Sequence, residues 1–194
     1  MPAPPDARPP PRPNRFRASV EYLTSRVTRT LLDLDPQAVT RAVELLHRAP
    51  TVFVYGAGRS GIIARAFAMR LVQTGIRAFV IGESVTPIVQ RGDLAIIFSN
   101  RGESQSSLQT ANIVRREGAD LIVVTARPAS KLAHAATHVL ALSFPEDTRR
   151  PLLAPLGTLF ESASLALADG LIAELMAVRN ETEDSLRRRH AIMV

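Results

Sequence analysis

Cysteine is absent from the 194-residue sequence, and so is tryptophan. Without cysteine there can be no disulfide framework, no thiolate nucleophile and no cysteine-ligated zinc or iron–sulfur site. Aromatic residues make up only 5% of the chain, whereas 46% of it is hydrophobic. The core must therefore be built mainly from Ala, Val, Leu and Ile, and the bulk of the chain is too hydrophobic to be intrinsically disordered.

Long hydrophobic runs are also missing. No window of the sequence holds 18 uncharged hydrophobic residues, as a membrane-spanning helix would require. The N-terminal residues do not contain the continuous hydrophobic stretch of a secretory signal. We therefore expect a cytoplasmic protein that has no membrane partner.

Lysine occurs only once, at Lys131, although the formal net charge is +6. The positive charge is otherwise arginine, and residues 1–17 and 179–190 together hold four of the six excess charges. A nucleic-acid-binding surface needs a dense basic face with residues that read the bases. The scattered arginines between the two ends do not form such a face, so we expect no nucleic-acid partner.

Proline is concentrated at one end of the chain, with seven of the 14 prolines in the first 13 residues. Such a stretch cannot sustain a helix or a central strand, so we expect a flexible, polyproline-II-like tail over residues 1–17. A length of 194 residues favours one domain with additional material over two domains. We predict a single domain over residues 18–194.

Hydrophobic spacing divides this domain into two parts. Hydrophobic residues recur every three or four positions from Ser19 to His47, which predicts two helices separated at Asp35-Pro36. From Thr51 onward, short hydrophobic runs alternate with helical stretches. The predicted strands are 51–55, 78–81, 94–98, 121–125 and 139–142, and the predicted helices are 60–74, 105–117, 129–135, 157–177 and 181–191. This alternation predicts a five-stranded, parallel, doubly wound α/β sheet flanked by helices.

Ligands of a doubly wound sheet bind beyond the carboxyl ends of its strands, in the loops that lead to the helices. The loop Gly56–Gly61 has the spacing G-x-G-x-x-G and opens a helix, so its backbone N–H groups would face an anion. A tight turn that packs the helix on the sheet is the structural alternative. The polar loop Gly82–Pro87 is a second candidate, which an ordinary connection explains equally well.

The third candidate loop, Ser99–Ser104, combines hydroxyl groups, a glycine and the N-terminus of a helix. A phosphate monoester has only acceptor oxygens, so these donors suit it. Capping of the helix by Ser104 would need one hydroxyl, whereas the loop and the first helical turn contain four serines. The sequence therefore favours a phosphate-binding loop at this position.

The run from Thr51 to Val194 resembles the sugar isomerase (SIS) domain and, within that family, 6-phospho-3-hexuloisomerase of the ribulose monophosphate pathway. The segments that carry the resemblance are V-Y-G-A-G-R-S-G at 54–61, A-F-A-M-R-L at 66–71, G-E-S-V-T-P at 82–87, L-A-P-L-G-T-L-F-E at 153–161 and R-H-A at 189–191. The resemblance implies a flavodoxin-like SIS fold. It also implies interconversion of D-arabino-hex-3-ulose 6-phosphate and D-fructose 6-phosphate by enediol proton transfer, without a metal or any other cofactor.

Carried over onto this sequence, the resemblance implies a catalytic carboxylate at Glu161 and a catalytic histidine at His190. Residues of the three loops would bind the sugar and its phosphate, namely Gly56, Gly58, Arg59, Ser60, Thr86, Pro87, Ser99, Asn100, Arg101, Gly102, Glu103 and Ser104. Glu161 lies among hydrophobic residues of a long helix, where partial burial would make its carboxylate a better base. From the residues alone, an exposed helical glutamate and a solvated histidine are the alternatives.

The phosphate loop departs from the pattern that it resembles. That pattern usually reads Ser-Gly-Ser-Gly-Glu-Thr/Ser, and its second and third positions here are Asn100 and Arg101. A hydroxyl is lost and a cation is gained, so we expect Arg101 to contact the phosphate. Two alternative functions are another aldose–ketose isomerase, of the arabinose 5-phosphate type, and a non-catalytic sugar-phosphate sensor. Sensors normally carry a DNA-binding helix-turn-helix domain, for which the residues before the first strand are too few.

The resemblance further implies a homotetramer, arranged as a dimer of dimers. The helices near residues 19–34 and 157–177 are more hydrophobic than one small sheet can cover, so we expect them to pair across subunits. A chain end that follows such a helix reaches a neighbouring subunit more easily than its own cleft. We therefore predict shared active sites, in which His190 completes the site of the next subunit.

Overall fold

The computed structural model describes residues 14–191. Five strands form one sheet: β1 (Val52–Gly56), β2 (Ala78–Val80), β3 (Leu94–Phe98), β4 (Asp120–Thr125) and β5 (His138–Ala141). All neighbouring strands are parallel, and their order is β2-β1-β3-β4-β5. This is the flavodoxin-like order of a doubly wound sheet, so the predicted five-stranded α/β fold is confirmed.

Eight helices flank the sheet within residues 14–191. They are α1 (Arg15–Leu32), α2 (Pro36–Arg48), α3 (Arg59–Gln73), α4 (Gln105–Arg116), α5 (Lys131–His134), α6 (Arg150–Leu153), α7 (Thr158–Arg179) and α8 (Glu183–Arg188). Asp35 caps α2 by accepting a hydrogen bond from the backbone N–H of Gln37 at 2.9 Å, and Pro36 occupies the first turn. In the described part of the chain, no helix is both long and hydrophobic enough to cross a membrane.

The predicted tail lies mostly outside the described residues, which begin at Asn14. Its predicted end at residue 17 differs from the structure, because α1 begins at Arg15. The side chain of Asn14 accepts a hydrogen bond from the backbone N–H of Arg17 at 3.0 Å, which caps the first turn. Residues 15–17 therefore belong to α1.

Alternate residues of the strands point to opposite faces of the sheet, and the helices cover the two faces unequally. Val52, Val54 and Ile96 pack with residues of α2, α3 and α7 in the larger core. Phe53 and Ile97 face the other side, where α4 and α5 cover them. The larger core therefore anchors α3 and α7, two of the helices that begin at the carboxyl edge of the sheet.

The carboxyl ends of β1 and β3 meet at the centre of this edge. From β1 the chain continues into α3 on one face, and from β3 it continues into α4 on the other face. A crevice opens where connections from neighbouring strands diverge in this way, and ligands of doubly wound sheets bind there. The first and third candidate loops, 56–61 and 99–104, flank this crevice.

Candidate active site

The glycine loop at residues 56–61 brings α3 unusually close to β1. A Cβ atom on Gly56 would lie 2.5 Å from the carbonyl carbon of Ser60, and one on Gly61 would lie 2.5 Å from the carbonyl oxygen of Gly56. These two glycines are therefore required by helix–strand packing, the structural alternative for this loop. Gly58 has a φ of +59° and open space around it, so it leaves the backbone of the loop accessible.

Glu161 lies in the first turn of α7 and is directed toward the glycine loop. Its side chain is 14% exposed, and its Oε2 atom lies 2.8 Å from Nη1 of Arg59 at the start of α3. The Arg59 N–H groups are not aligned with this oxygen, which has no hydrogen-bond donor within residues 14–191. The contact is therefore an ion pair that covers Oε2, and Oε1 is the oxygen of the carboxylate that remains available.

The phosphate loop, residues 99–104, is held by its own polar groups and by the segment that follows β4. Ser99 Oγ accepts a hydrogen bond from the backbone N–H of Gly102 at 3.2 Å. The carbonyl oxygen of Gly102 accepts one from the N–H of Leu132 at 3.2 Å, at the start of α5. The backbone of the loop is consequently fixed from two sides, as a preorganised binding loop requires.

Gly102 is the position in this loop where only glycine fits. Its φ is +66°, and a Cβ atom would lie 2.0 Å from Oγ of Ser130. Ser130 is buried and caps α5 by accepting a hydrogen bond from the N–H of Ala133 at 3.3 Å. Both the backbone conformation and the neighbouring hydroxyl therefore exclude a side chain at residue 102.

Ser104 stabilises the first turn of α4, and the backbone N–H groups around it are available to a ligand. Ser104 caps α4: its Oγ accepts a hydrogen bond from the N–H of Ser107 and donates one to Ser107 Oγ at 2.8 Å. Within the described residues, the backbone N–H groups of residues 103–106 have no acceptor. Arg101 and Glu103 are exposed beside them. Unpaired N–H groups at a helix N-terminus and an exposed guanidinium suit an anion.

Gly157 lies beside both the phosphate loop and the carboxylate of Glu161. It immediately precedes α7, and a Cβ atom on it would lie 2.9 Å from Oε1 of Glu161 and 3.4 Å from Nδ2 of Asn100. The carboxylate and the amide therefore face the same small space. The structure thus groups Arg59, Asn100 and Glu161 at the carboxyl edge of the sheet.

Thr86 and Pro87 lie apart from this group. The hydroxyl of Thr86 donates a hydrogen bond to the carbonyl oxygen of Val80 at 2.6 Å, which closes the turn after β2. Both residues line a mostly hydrophobic groove of about 260 Å³ along the C-terminal half of α4, whereas the phosphate loop is at the N-terminus of that helix. A second, polar hollow of about 290 Å³ contains His134 and Arg115 and also lies away from Glu161.

His190 lies at the far end of the molecule from Glu161 of the same chain. Its neighbour Arg189 donates a hydrogen bond to the carbonyl oxygen of Gln73, the last residue of α3, at 3.1 Å. Arg59, the partner of Glu161, is the first residue of that helix, which is about 20 Å long. His190 is exposed, and its Nδ1 lies 2.8 Å from the Ala191 carbonyl oxygen. One chain therefore does not bring its own His190 to its own Glu161.

Sequence reasoning missed two residues of this region, Gly157 and Ser130. Gly157 stands within the segment 153–161, but nothing in the local pattern shows that its missing side chain leaves room between Asn100 and Glu161. Ser130 could be recognised only as a helix cap, because it is remote from Gly102 in sequence. In the described part of the chain, no group of three or more acidic or histidine side chains is placed to hold a metal ion.

A doubly wound sheet that presents a helix N-terminus and a partly buried carboxylate at its carboxyl edge defines a class of proteins that bind small anionic ligands. The SIS domain model matches residues 45–172. The chain belongs to the SIS domain family, as its resemblance predicts.

Similar proteins cover nearly the whole chain. A protein of Methylomonas aminofaciens named 3-hexulose-6-phosphate isomerase is 31% identical over 175 residues, which are 88% of this chain and 96% of that protein. An uncharacterized protein of Archaeoglobus fulgidus is 35% identical over 178 residues, 90% of this chain and 97% of its own. A solved structure from Methanococcus jannaschii, described as inferring a function of 3-hexulose-6-phosphate isomerase, has a TM-score of 0.82 at 25% identity and covers 91% of this chain and 99% of its own.

Proposed function

We propose that this protein is a sugar-phosphate isomerase that interconverts D-arabino-hex-3-ulose 6-phosphate and D-fructose 6-phosphate. The observation that carries the proposal is the position of Glu161. Its carboxylate is 14% exposed, forms an ion pair with Arg59 through Oε2 and shares the space at Gly157 with the phosphate loop. The relatives named 3-hexulose-6-phosphate isomerase support the choice of substrate.

The reaction needs one base and one route for hydroxyl protons. In the direction of fructose 6-phosphate, Glu161 removes the proton on C2 and the C2–H electrons form a C2–C3 double bond, while the C3 carbonyl becomes a hydroxyl. The proton then returns to C3, the O2 proton is released and the carbonyl is at C2. No electron acceptor is consumed, and a positioned acid and base are sufficient for such transfers, so no cofactor is invoked.

The phosphate loop would hold the substrate by its far end. The open N–H groups of residues 103–106 and the guanidinium of Arg101 would bind the phosphate. The hex-3-ulose phosphate is acyclic, because O6 is esterified and rings closed on C3 would be strained. An extended chain anchored at its phosphate places C2 and C3 several bonds away from the loop. Glu161, which enters from α7 rather than from the loop, is suited to reach them.

His190 would act in the site of a neighbouring subunit. Within one chain it lies at the end of α3 opposite to Arg59 and Glu161. An exposed imidazole can both donate and accept a proton, so it is suited to shuttle protons between the two sugar oxygens. A homotetramer, arranged as a dimer of dimers, would bring it to the carboxylate of the next subunit.

The proposal is tested by running the reaction from fructose 6-phosphate. The protein is incubated with fructose 6-phosphate and a hexulose-phosphate synthase, which cleaves hex-3-ulose 6-phosphate and releases formaldehyde. We expect formaldehyde at a rate proportional to the amount of this protein, as the ribulose monophosphate pathway would require. Formation of an aldose phosphate without formaldehyde would instead identify another aldose–ketose isomerase. Binding of fructose 6-phosphate without turnover would identify a sensor.

A further inference from the structure

The side chain of Asn100 is available to a ligand while its backbone is held in place. Its carbonyl oxygen accepts hydrogen bonds from the N–H of Ala126 at 3.0 Å and from Oγ1 of Thr125 at 3.2 Å. These contacts fasten residue 100 to the end of β4. The side-chain amide is half-buried and forms no hydrogen bond with any residue of 14–191. A residue that binds a ligand needs a fixed backbone and a side chain with free hydrogen-bonding groups, and Asn100 has both.

The amide and the Glu161 carboxylate face each other across Gly157. Nδ2 of Asn100 and Oε1 of Glu161 both lie within 3.4 Å of the point where a Gly157 side chain would begin. No hydrogen bond joins the two groups, so each remains free for a third partner. On its other oxygen the carboxylate contacts Arg59, which leaves the Oε1 side open toward Asn100.

We propose that Asn100 is a catalytic residue whose amide N–H donates a hydrogen bond to the sugar oxygen that gains negative charge in the reaction. This inference rests on the proposed function. When Glu161 removes the C2 proton, the C2–H bond breaks, an O–H bond forms on the carboxylate and the C3 carbonyl electrons move onto O3. The charge that leaves Glu161 thus appears on O3, and an amide beside the carboxylate is placed to donate a hydrogen bond to that oxygen.

An amide is well suited to this position. It donates a hydrogen bond without transferring its proton, so it stabilises the enediolate and does not neutralise the nearby base. A cation in the same place would form a second ion pair with Glu161 and hold the carboxylate away from carbon. Removal of one such donor from a comparable oxyanion site lowers kcat by about 10²–10³-fold.

The test compares Asn100→Ala with the wild-type protein in the turnover of fructose 6-phosphate. The control is Asn112→Ala, the same chemical change at an exposed position of α4. For Asn100→Ala we expect kcat to fall by about 10²–10³-fold with KM changed less than about threefold, and for Asn112→Ala we expect wild-type constants. An unchanged kcat, or a change confined to KM, would overturn the assignment.

A binding measurement separates a catalytic role from a structural one. Isothermal titration uses 4-phospho-D-erythronohydroxamate, whose planar hydroxamate group matches O2, C2, C3 and O3 of the 2,3-enediolate, and sorbitol 6-phosphate, which has the phosphate but no carbonyl. Asn100→Ala should weaken binding of the hydroxamate by at least about tenfold and leave binding of sorbitol 6-phosphate unchanged. Equal weakening of both ligands would show that Asn100 only shapes the phosphate loop, and would overturn the proposal.

A second variant, Gly157→Ala, tests whether the space between Asn100 and Glu161 must remain open. Gly157 has a φ of −89°, which alanine adopts without strain, so Gly157→Ala should fold. Its methyl group would lie between the amide and the carboxylate, and we expect a similar loss of kcat. Absence of turnover in the wild-type protein would overturn the proposed function together with this inference. Turnover in the wild-type protein with unchanged kcat in Asn100→Ala would overturn the role of Asn100 alone.

Discussion

The two side chains of the Arg59–Glu161 ion pair differ greatly in exposure. Arg59 is 59% exposed and Glu161 only 14%. A pair with a largely exposed partner contributes no more than about 1 kcal/mol, so Arg59 can turn toward an incoming ligand at little cost. Glu161, in contrast, is held by the first turn of α7. We therefore expect the carboxylate to keep its position when a sugar phosphate binds, and the guanidinium to adjust.

Arg101 gives the phosphate loop a positive charge where the pattern that the loop resembles has an uncharged serine. Its side chain is exposed at the loop, beside the N-terminus of α4. Arg101→Ala should raise KM for fructose 6-phosphate by about ten- to a hundredfold, because a charge-assisted hydrogen bond contributes about 1.5–3 kcal/mol. Steady-state kinetics measures this. Arg116→Ala, at the other end of α4, is the control, and an unchanged KM in Arg101→Ala would show that Arg101 points to solvent.

The packing of the phosphate loop against α5 requires that residue 102 has no side chain. Gly102→Ala would force a φ of +66° on alanine and place a methyl group against Ser130, which caps α5. We expect the free energy of unfolding to fall by about 1–3 kcal/mol and KM for fructose 6-phosphate to rise. Urea denaturation and steady-state kinetics measure the two effects.

The matched control is Gly170→Ala in the middle of α7. A Cβ atom there meets nothing within 4 Å, and the backbone is helical. This variant should be more stable than the wild-type protein by about 0.5–1 kcal/mol, with unchanged KM. Loss of stability in both variants would mean that the strain at Gly102 is not specific to the loop.

The side chain of Asp147 binds Arg26 of α1 and Arg149, and so holds α1 against the segment that leads into α7. The backbone N–H of Arg149 donates to it at 2.8 Å, and the guanidinium groups of Arg149 and Arg26 also bind it. The pKa of Asp147 is lowered from 3.8 to about 2. The main cause is the hydrogen bond from the Arg149 N–H, and the two guanidinium groups lower the pKa further. A carboxyl whose pKa is lowered by folding stabilises the protein above its unfolded pKa, and this stability is lost as the pH falls from about 4 toward 2.

Asp147→Asn should therefore be less stable than the wild-type protein at neutral pH, and the difference should shrink as the pH falls through this range. Urea midpoints at about pH 7, 4 and 3 measure the effect. Asp33→Asn, which removes an exposed carboxylate 4.0 Å from Arg29, is the control and should show no such pH dependence. A constant difference between Asp147→Asn and wild type at all three pH values would contradict the account.

Elements whose hydrophobic pattern is strong could be predicted from the sequence. The predicted strand 94–98 matches β3, the predictions for β2 and β4 differ by one residue at one end, and those for β1 and β5 are shifted by one residue at both ends. The helix α6 was not predicted, because its four residues are too few to show a period. The predicted helix 129–135 shortens to Lys131–His134, since Ser130 caps it. The predicted C-terminal helix, 181–191, shortens to Glu183–Arg188, with Thr182 and Ser185 forming a capping box.

The candidate site could be predicted only in part. The loops at 56–61 and 99–104 follow strands, so their meeting at one edge is a consequence of the fold class. The placement of Thr86 against α4, and the proximity of Asn100 to Glu161 across Gly157, depend on tertiary packing that no local pattern encodes. The sequence predicts that His190 reaches a neighbouring subunit rather than its own cleft, and its distance from Glu161 within one chain results from the packing of α8 at the far end of α3.

At the scale of the whole molecule, exposed hydrophobic residues mark a surface on α3 and α7. Ile62 and Met69 of α3 are 67% and 54% exposed, and Leu165 of the adjacent α7 is 44% exposed. The sequence predicts a subunit contact on the helices near residues 19–34 and 157–177, so Leu165 belongs to the predicted surface whereas Ile62 and Met69 of α3 do not.

The proposed shared site predicts complementation between two inactive variants. Glu161→Gln and His190→Ala should each be nearly inactive as homo-oligomers, because general acid–base groups contribute about 10²–10⁴-fold. Co-expression would place intact Glu161 of one chain beside intact His190 of another and restore part of the activity. Native mass spectrometry verifies that hybrids form. Hybrids without regained turnover would show that both residues of one chain serve the same site.

The most direct test of the central claim, proton removal from a sugar phosphate to form a 2,3-enediol, is deuterium exchange. Fructose 6-phosphate is incubated with the protein in D₂O with EDTA, and NMR locates the deuterium. We predict exchange at C3 that is abolished in Glu161→Gln and retained in Glu174→Gln, which alters an exposed carboxylate on the same helix. Exchange at C1, or none at C3 with the wild-type protein, would contradict it.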